Sequence, residues 1–120
     1  MEIAIIAHDG KKAEMVQFLN HHSAILKQKN ITLISTGTTG KKVSKAGLKV
    51  NALLSGPLGG DAQIAARVAE GQCDMVLFFR DPLDRHPHEP DILMLMRLCD
   101  VHNVPLATNP ATAELLIKAI

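Results

Sequence analysis

Five short apolar runs punctuate the chain: "IAIIA" (3–7), "ITLIS" (31–35), "VNALL" (50–54), "MVLFF" (75–79) and the shorter "VPLA" (104–107). Each has the length of a strand, and continuous apolar character, rather than alternation, is what burial on both faces requires. Between the runs the apolar positions switch to helical spacing. Met15, Phe18, Leu19, His22 and Leu26 recur on one helical face, Ile64, Ala65, Val68 and Ala69 on a second, and Ile92, Leu95, Met96 and Cys99 on a third. Gly47 and Gly71 stand where helix C-termini belong, and a last helix is expected from about Ala111. A strand followed by a helix, repeated along the chain, predicts an α/β fold. The expected architecture is a three-layer, Rossmann-like single domain over residues 1–120, with a mainly parallel five-stranded sheet, helices on both faces and right-handed crossovers.

That topology also predicts where chemistry sits. In open parallel sheets ligands bind outside the carboxyl ends of the strands. The segments that follow the five runs are "HDGKK" (8–12), "TGTTGKK" (36–42), "SGPLGGD" (55–61), "RDPLDRHPHEPD" (80–91) and "TNPAT" (108–112). All are rich in small, polar or ionisable residues, whereas the turns at the other edge, such as "QKN" and "EGQCD", are ordinary. Convergence of all five on one edge is more than a purely structural domain requires.

Composition narrows the function. With 47% hydrophobic residues in 120, the chain builds a real core. A net charge of +1 and only three aromatic residues give neither the field nor the stacking surface that nucleic acid needs. No apolar stretch approaches the roughly 18 residues of a membrane span, and the N-terminus has no signal-peptide pattern, so a cytoplasmic protein without membrane contact is expected. Cys73 and Cys99 have no metal-ligand spacing and lie in or beside apolar elements, as buried free thiols do.

Each polar segment has a plain reading beside a functional one. "TGTTG" can be a tight turn with a Thr cap, or a phosphate cradle of backbone amides, Thr hydroxyls and helix dipole. It is not a nucleotide P-loop, which needs four residues between its glycines and a following Lys-Ser/Thr. Asp9 can be a cap and Lys12 a surface lysine, but beside a phosphate cradle Lys12 becomes an ion-pair ligand; Lys11, Lys41 and Lys42 read as solvated face. Within "RDPLDRHPHEPD", Asp91 can be the N-cap of a helix from Ile92. The pair His86 and His88 can hold a metal, but without a Cys partner or suitable context metal-free chemistry is preferred, with His88 as proton donor or electrophile. Asp61 can be a helix cap; following Gly59 and Gly60 on the ligand edge, it is also placed to be a general base that the helix dipole keeps ionised. Together these residues describe a small phosphorylated substrate, a carboxylate base and a histidine acid.

Five stretches, "AHDGKK", "STGTTG", "SGPLGGDAQIAA", "FFRDPLDRHPHEPD" and "RLCDVHNVPLATNPATAE", in this order and spacing, resemble the methylglyoxal synthase family over essentially the whole chain. The resemblance implies conversion of dihydroxyacetone phosphate to methylglyoxal and inorganic phosphate, with no cofactor and no metal. It implies inorganic phosphate as product and inhibitor, and assembly as a homohexamer. Carried over residue by residue, it makes Asp61 the proton donor and acceptor and His88 the partner of the carbonyl and neighbouring oxygens, with Asp9, Asp81 and Asp91 as supporting carboxylates. His8, Lys12, Thr36, Gly37, Thr38, Thr39, Ser55 and Gly56 would bind the substrate. Family members usually continue past the helix that stops here at Ile120. Two alternatives share the fold: the effector-binding regulatory domain of carbamoyl phosphate synthetase, which does no chemistry and would not need Asp61 and His88 together, and a cyclohydrolase of purine synthesis, whose other residues are not apparent. Independently, only Arg97 and Asp100 are polar between Ile92 and Val101, so that helix is apolar on more faces than one sheet can cover and an oligomer is expected.

Overall fold

A computed structural model describes all of residues 1–120. Its centre is β1 (Glu2–Ala7), flanked by β2 (Thr32–Ser35) on one side and β4 (Met75–Phe79) on the other, with β3 (Asn51–Ala52) and β5 (Leu106–Ala107) at the edges. The order is β3-β2-β1-β4-β5, and every pairing is parallel. Alternate residues of the strands build the two halves of the core. Ile3, Ile5, Leu33, Leu77 and Phe79 face a layer made by α1 (Lys12–His21), α2 (Ser23–Leu26), α3 (Gly37–Lys45) and α6 (Pro110–Lys118). Ala4, Ile6, Ile34, Val76 and Phe78 face α4 (Gly60–Ala69) and α5 (Glu89–Val101). The predicted three-layer sheet is present. Gly47 and Gly71 follow α3 and α4 with φ of +97° and +76°, the left-handed turn that glycine ends helices with. Cys73 and Cys99 are buried free thiols, and burial pushes both up to about 11.

Three elements depart from their sequence pattern. The run 50–54 yields a strand of two residues, both exposed, because β3 is an edge strand paired only with β2 and has one open side. Double-sided burial, expected there, holds for β1 and β4 but not for β3. The helical pattern from Met15 to Leu26 is interrupted at His22 (φ −105°, ψ 19°), whose buried ring leaves the helix path to meet Glu114 of α6, Nε2 to Oε2 at 2.6 Å. Finally, α5 starts at Glu89 rather than Ile92, with Pro90 in its first turn, where a missing N–H costs nothing. Asp91 therefore lies inside the helix and is not its N-cap.

The order in which strands are added reverses at β1: successive strands run outward through β2 to β3, and then continue on the other side as β4 and β5. The crevice at such a reversal, above the carboxyl ends of β1 and β4, is where ligands of this architecture bind. No helix is long and apolar enough to cross a membrane.

Candidate active site

A cavity of about 260 Å³ opens above the ends of β1 and β4. Four of the five expected segments reach it: His8, Asp9 and Lys12 after β1, Thr36 and Thr38 after β2, Ser55, Gly56 and Asp61 after β3, and His86 and His88 after β4. The fifth does not. Thr108 and Asn109 line a separate hollow with Arg80 and Lys11, because the carbonyl of Thr108 accepts from the Arg80 amide at 3.3 Å and β5 is one strand too far out.

Asp61 occupies the second position of α4, has no exposed surface, and makes no hydrogen bond through either carboxylate oxygen. The Nε2 atom of His88 stands 3.3 Å from its Oδ2. Burial raises its pKa and Asp91 adds to the rise, against the pull of His88 and His86. The helix dipole, expected to favour the ionised form, is worth at most about 2 kcal/mol, and desolvation of the buried carboxylate works against it. Gly56 leaves the space that the pair needs, since a Cβ there would lie 3.0 Å from His88 Nε2 and 3.4 Å from Asp61 Oδ1.

His8 leaves β1 with its amide bound to the Phe79 carbonyl at 3.2 Å. Its ring Nδ1 accepts from the Asp81 amide at 2.9 Å. A nitrogen that accepts from a backbone N–H carries no proton, so the neutral ring bears its hydrogen on Nε2, which is buried and without a protein partner. Burial, then the positive charges of His86, His88 and Arg80, push His8 from 6.5 down to about 4. The ring is thus a neutral donor aimed at the cavity. Asp81 is present through its backbone, while its carboxylate turns away to accept from the Leu83 amide at 3.1 Å.

Lys12 is buried although charged, and it pairs with Asp9 one turn earlier. That hydrogen bond holds the exposed Asp9 carboxyl below its ordinary range. Thr38 lines the cavity at the start of α3, where the amides of Thr38 and Thr39 have no acceptor within the helix. Two predicted ligands stand behind the wall: the Gly37 amide donates to the Leu54 carbonyl at 3.0 Å, and the buried Thr39 hydroxyl reaches the Ala7 carbonyl at 3.4 Å. Asp91 does not line the cavity and acts on it only through its charge beside Asp61. The residue passed over is His86, which lines the cavity and stacks on His8. No pattern in the sequence marks it, because Pro87 and His88 form a turn closed by the Glu89 amide on the His86 carbonyl at 3.2 Å, and it is that turn which brings both rings to the cavity.

A buried carboxylate, an adjacent histidine and a helix N-terminus with a lysine can together abstract a carbon-bound proton from a small phosphorylated molecule. Comparison with known proteins sharpens this. Residues 14–108 match the family model of the MGS-like domain. The chain is 60% identical to the methylglyoxal synthase of Caldicellulosiruptor saccharolyticus, covering 100% of this chain and 84% of that protein. It is 52% identical to that of Clostridium botulinum, covering 98% of each. The crystal structure of methylglyoxal synthase from Elizabethkingia anophelis superposes with a TM-score of 0.89 at 42% identity, over 97% of this chain and 76% of that one.

The chain belongs to the methylglyoxal synthase family. As a methylglyoxal synthase family member it has the fold that the strand and helix pattern predicts, and the structural match extends across the sheet that carries the cavity.

Proposed function

We propose that the chain is a cytoplasmic carbon–oxygen lyase that converts dihydroxyacetone phosphate to methylglyoxal and inorganic phosphate, with Asp61 as the base. The observation that supports the assignment of the base is the buried, hydrogen-bond-free Asp61 carboxylate 3.3 Å from His88 in a cavity otherwise equipped for an anion. The substrate phosphate sits against Lys12 and the free amides at the start of α3, with the Thr36, Thr38 and Ser55 side chains around it. This fixes one end of the molecule and points its hydroxymethyl carbon at Asp61.

Asp61 removes a proton from that carbon. Its raised pKa makes it a stronger base than an ordinary carboxylate, because burial has already stripped water from the carboxylate itself. The C–H electron pair moves into a C=C bond, and the carbonyl oxygen takes up the charge as an enediolate. The neutral Nε2–H of His8 and the imidazole of His88 donate to its oxygens, and neither donor has to reorganise during the step. The hydroxyl on the deprotonated carbon passes its proton to the charged oxygen beside it, its electron pair forms the aldehyde C=O, and the C=C pair shifts to expel phosphate from the far carbon, provided that this C–O bond stands out of the enediolate plane and overlaps the π system. The cradle around Lys12 sets that torsion, so it governs the outcome as well as affinity. The enol of methylglyoxal left behind takes a proton on its methylene carbon and gives up its hydroxyl proton to become the product. No cofactor enters this chemistry, and inorganic phosphate, occupying the same cradle, is an inhibitor as well as a product.

A pure effector-binding module is not favoured, since the relatives matched over the full chain are methylglyoxal synthases. We further propose a homo-oligomer, a hexamer by the family resemblance, supported by the exposed apolar residues Leu93, Met94 and Val101 of α5. Phosphate release from dihydroxyacetone phosphate by the purified chain tests the function: a turning-over enzyme is expected, and binding without release would leave only a module.

A further inference from the structure

His86 has no place in the proton chemistry above, yet it is built into the site. Its ring lies 3.6 Å from that of His8, centroid to centroid, at an interplanar angle of 24°. His8 meets Phe78 at 5.1 Å and 78° and His88 at 6.2 Å and 83°, both edge-to-face, so His86 is the one ring stacked on its face. The His86 and His8 rings together stand between the cavity and a second hollow of about 360 Å³, whose other walls include Arg80, Asp81, Arg85 and Glu89. Its Nε2 is buried and has no partner. Pro87 restricts the backbone of His86, and the His86 carbonyl accepts from the Glu89 amide at 3.2 Å, so the ring is held from its own side as well.

We propose that His86 is a positioning residue: its stacked ring holds His8 in the orientation that gives Nδ1 to the Asp81 amide and leaves Nε2 to donate into the cavity. The proposal rests on the reaction assigned above, because only that reaction needs the donor. The imidazole of His8 has two competing states. In one, Nδ1 accepts from Asp81 and the ring is neutral. In the other, the ring is protonated, Nδ1–H opposes the Asp81 N–H, and the bond is lost. Water admitted to the ring face that His86 covers favours the latter, since it hydrates the charged ring. His86 opposes it twice, by covering the face of His8 and by its own positive charge when protonated. The other groups facing His8 are His88, Arg80 and the Asp81 amide from the segment after β4, Glu89 at the start of α5, and Asp61 across the cavity, with Asp9 and Lys12 on its own segment. Of those acting through charge on His8, Glu89 alone raises its pKa, so removal of His86 leaves that pull less opposed.

The test compares His86→Ala, His86→Phe and His86→Gln. The His8 ring is observed directly by nitrogen and carbon NMR, its signals assigned by their loss in His8→Gln. In the parent, His8 is expected as the Nε2–H tautomer at neutral pH, with a titration midpoint near 4. In His86→Ala the midpoint moves up towards 6.5 and the tautomer signature blurs, while kcat/KM for dihydroxyacetone phosphate falls about 10- to 100-fold and its acid limb shifts to higher pH. His86→Phe, which restores a ring without a proton, regains most of the lost rate and a depressed midpoint, and His86→Gln does not. An unchanged His8 midpoint and tautomer in His86→Ala overturns the proposal whatever the rate does. So does rescue by Gln but not by Phe, which would assign the role to a polar group instead of the stack; this comparison stands even if the Ala variant unfolds. Absence of phosphate release by the parent would defeat the reaction assignment, a result that the NMR arm does not share.

Discussion

Asp61 and His8 carry opposite electrostatic burdens, and the two can be separated by pH. Asp61 is ionisable, fully buried and without a hydrogen bond, and its folded pKa is raised. The native state therefore favours its protonated form, and stability falls as pH rises from 3.8 through the folded pKa. Asp61→Asn removes that cost, so its melting temperature at neutral pH should exceed the parent's by about 2–6 °C even as activity is lost; an equal or lower value in calorimetry would mean the carboxylate is satisfied. His8 runs the other way. Its folded pKa is depressed to about 4, so its contribution is complete above 6.5 and is lost as pH falls towards 4. The loss amounts to about 3 kcal/mol for a shift of this size. His8→Gln should flatten that part of the stability profile in denaturant titrations across pH 4–7, and an unchanged slope would remove His8 as its source. The sequence shows both residues by their place after a strand, but not the burial that sets the direction of either shift. Nor could it distinguish His86 from a metal ligand, since what defines it is a ring stacked on a residue 78 positions away.

At the scale of the element, the start of α3 holds two threonines with different tasks. Thr38 faces the cavity, and Thr39 is tied to the Ala7 carbonyl at 3.4 Å. Lys12→Ala and Thr38→Val should therefore weaken binding of substrate and of inorganic phosphate together, by about tenfold or more for the charged partner. Thr39→Val should instead lower stability by about 1 kcal/mol while leaving phosphate affinity close to the parent's. Calorimetric titration with phosphate, beside thermal melts, checks all three; equal phosphate affinity in Lys12→Ala would move the cradle elsewhere. The motif "TGTTG" was legible as a helix start, because glycine and threonine punctuate strand–helix turns. Which side chain faces in and which faces back was not, because that depends on the path of β1 beneath it. The same holds for "VNALL": its composition reads as a strand, and only its position at the sheet edge explains why two residues pair.

For the whole molecule, the alternation of apolar runs and helical periods determined the layers, but the order of strands came from the structure. That order matters, since it places the ends of β1 and β4 together and leaves the "TNPAT" segment one strand away from the cavity. The apolar surplus of α5 was also visible in the sequence, and Leu93 and Val101 are 56% and 58% exposed in the isolated chain. Leu93→Glu should shift the protein to a smaller species in light scattering, with the monomer mass in the parent counting against an assembly. The account as a whole turns on proton removal by Asp61 preceding phosphate loss. The most direct measurement follows the purified protein with dihydroxyacetone phosphate in heavy water, recording free phosphate together with deuterium in the recovered triose phosphate and in methylglyoxal. The parent is expected to release phosphate and methylglyoxal, and Asp61→Asn, folded as the parent, to lose both deuterium exchange and release by about 10²- to 10⁴-fold. Phosphate release by Asp61→Asn at near the parent rate would contradict the account and send the search for the base to Asp9, the other carboxylate that lines the cavity.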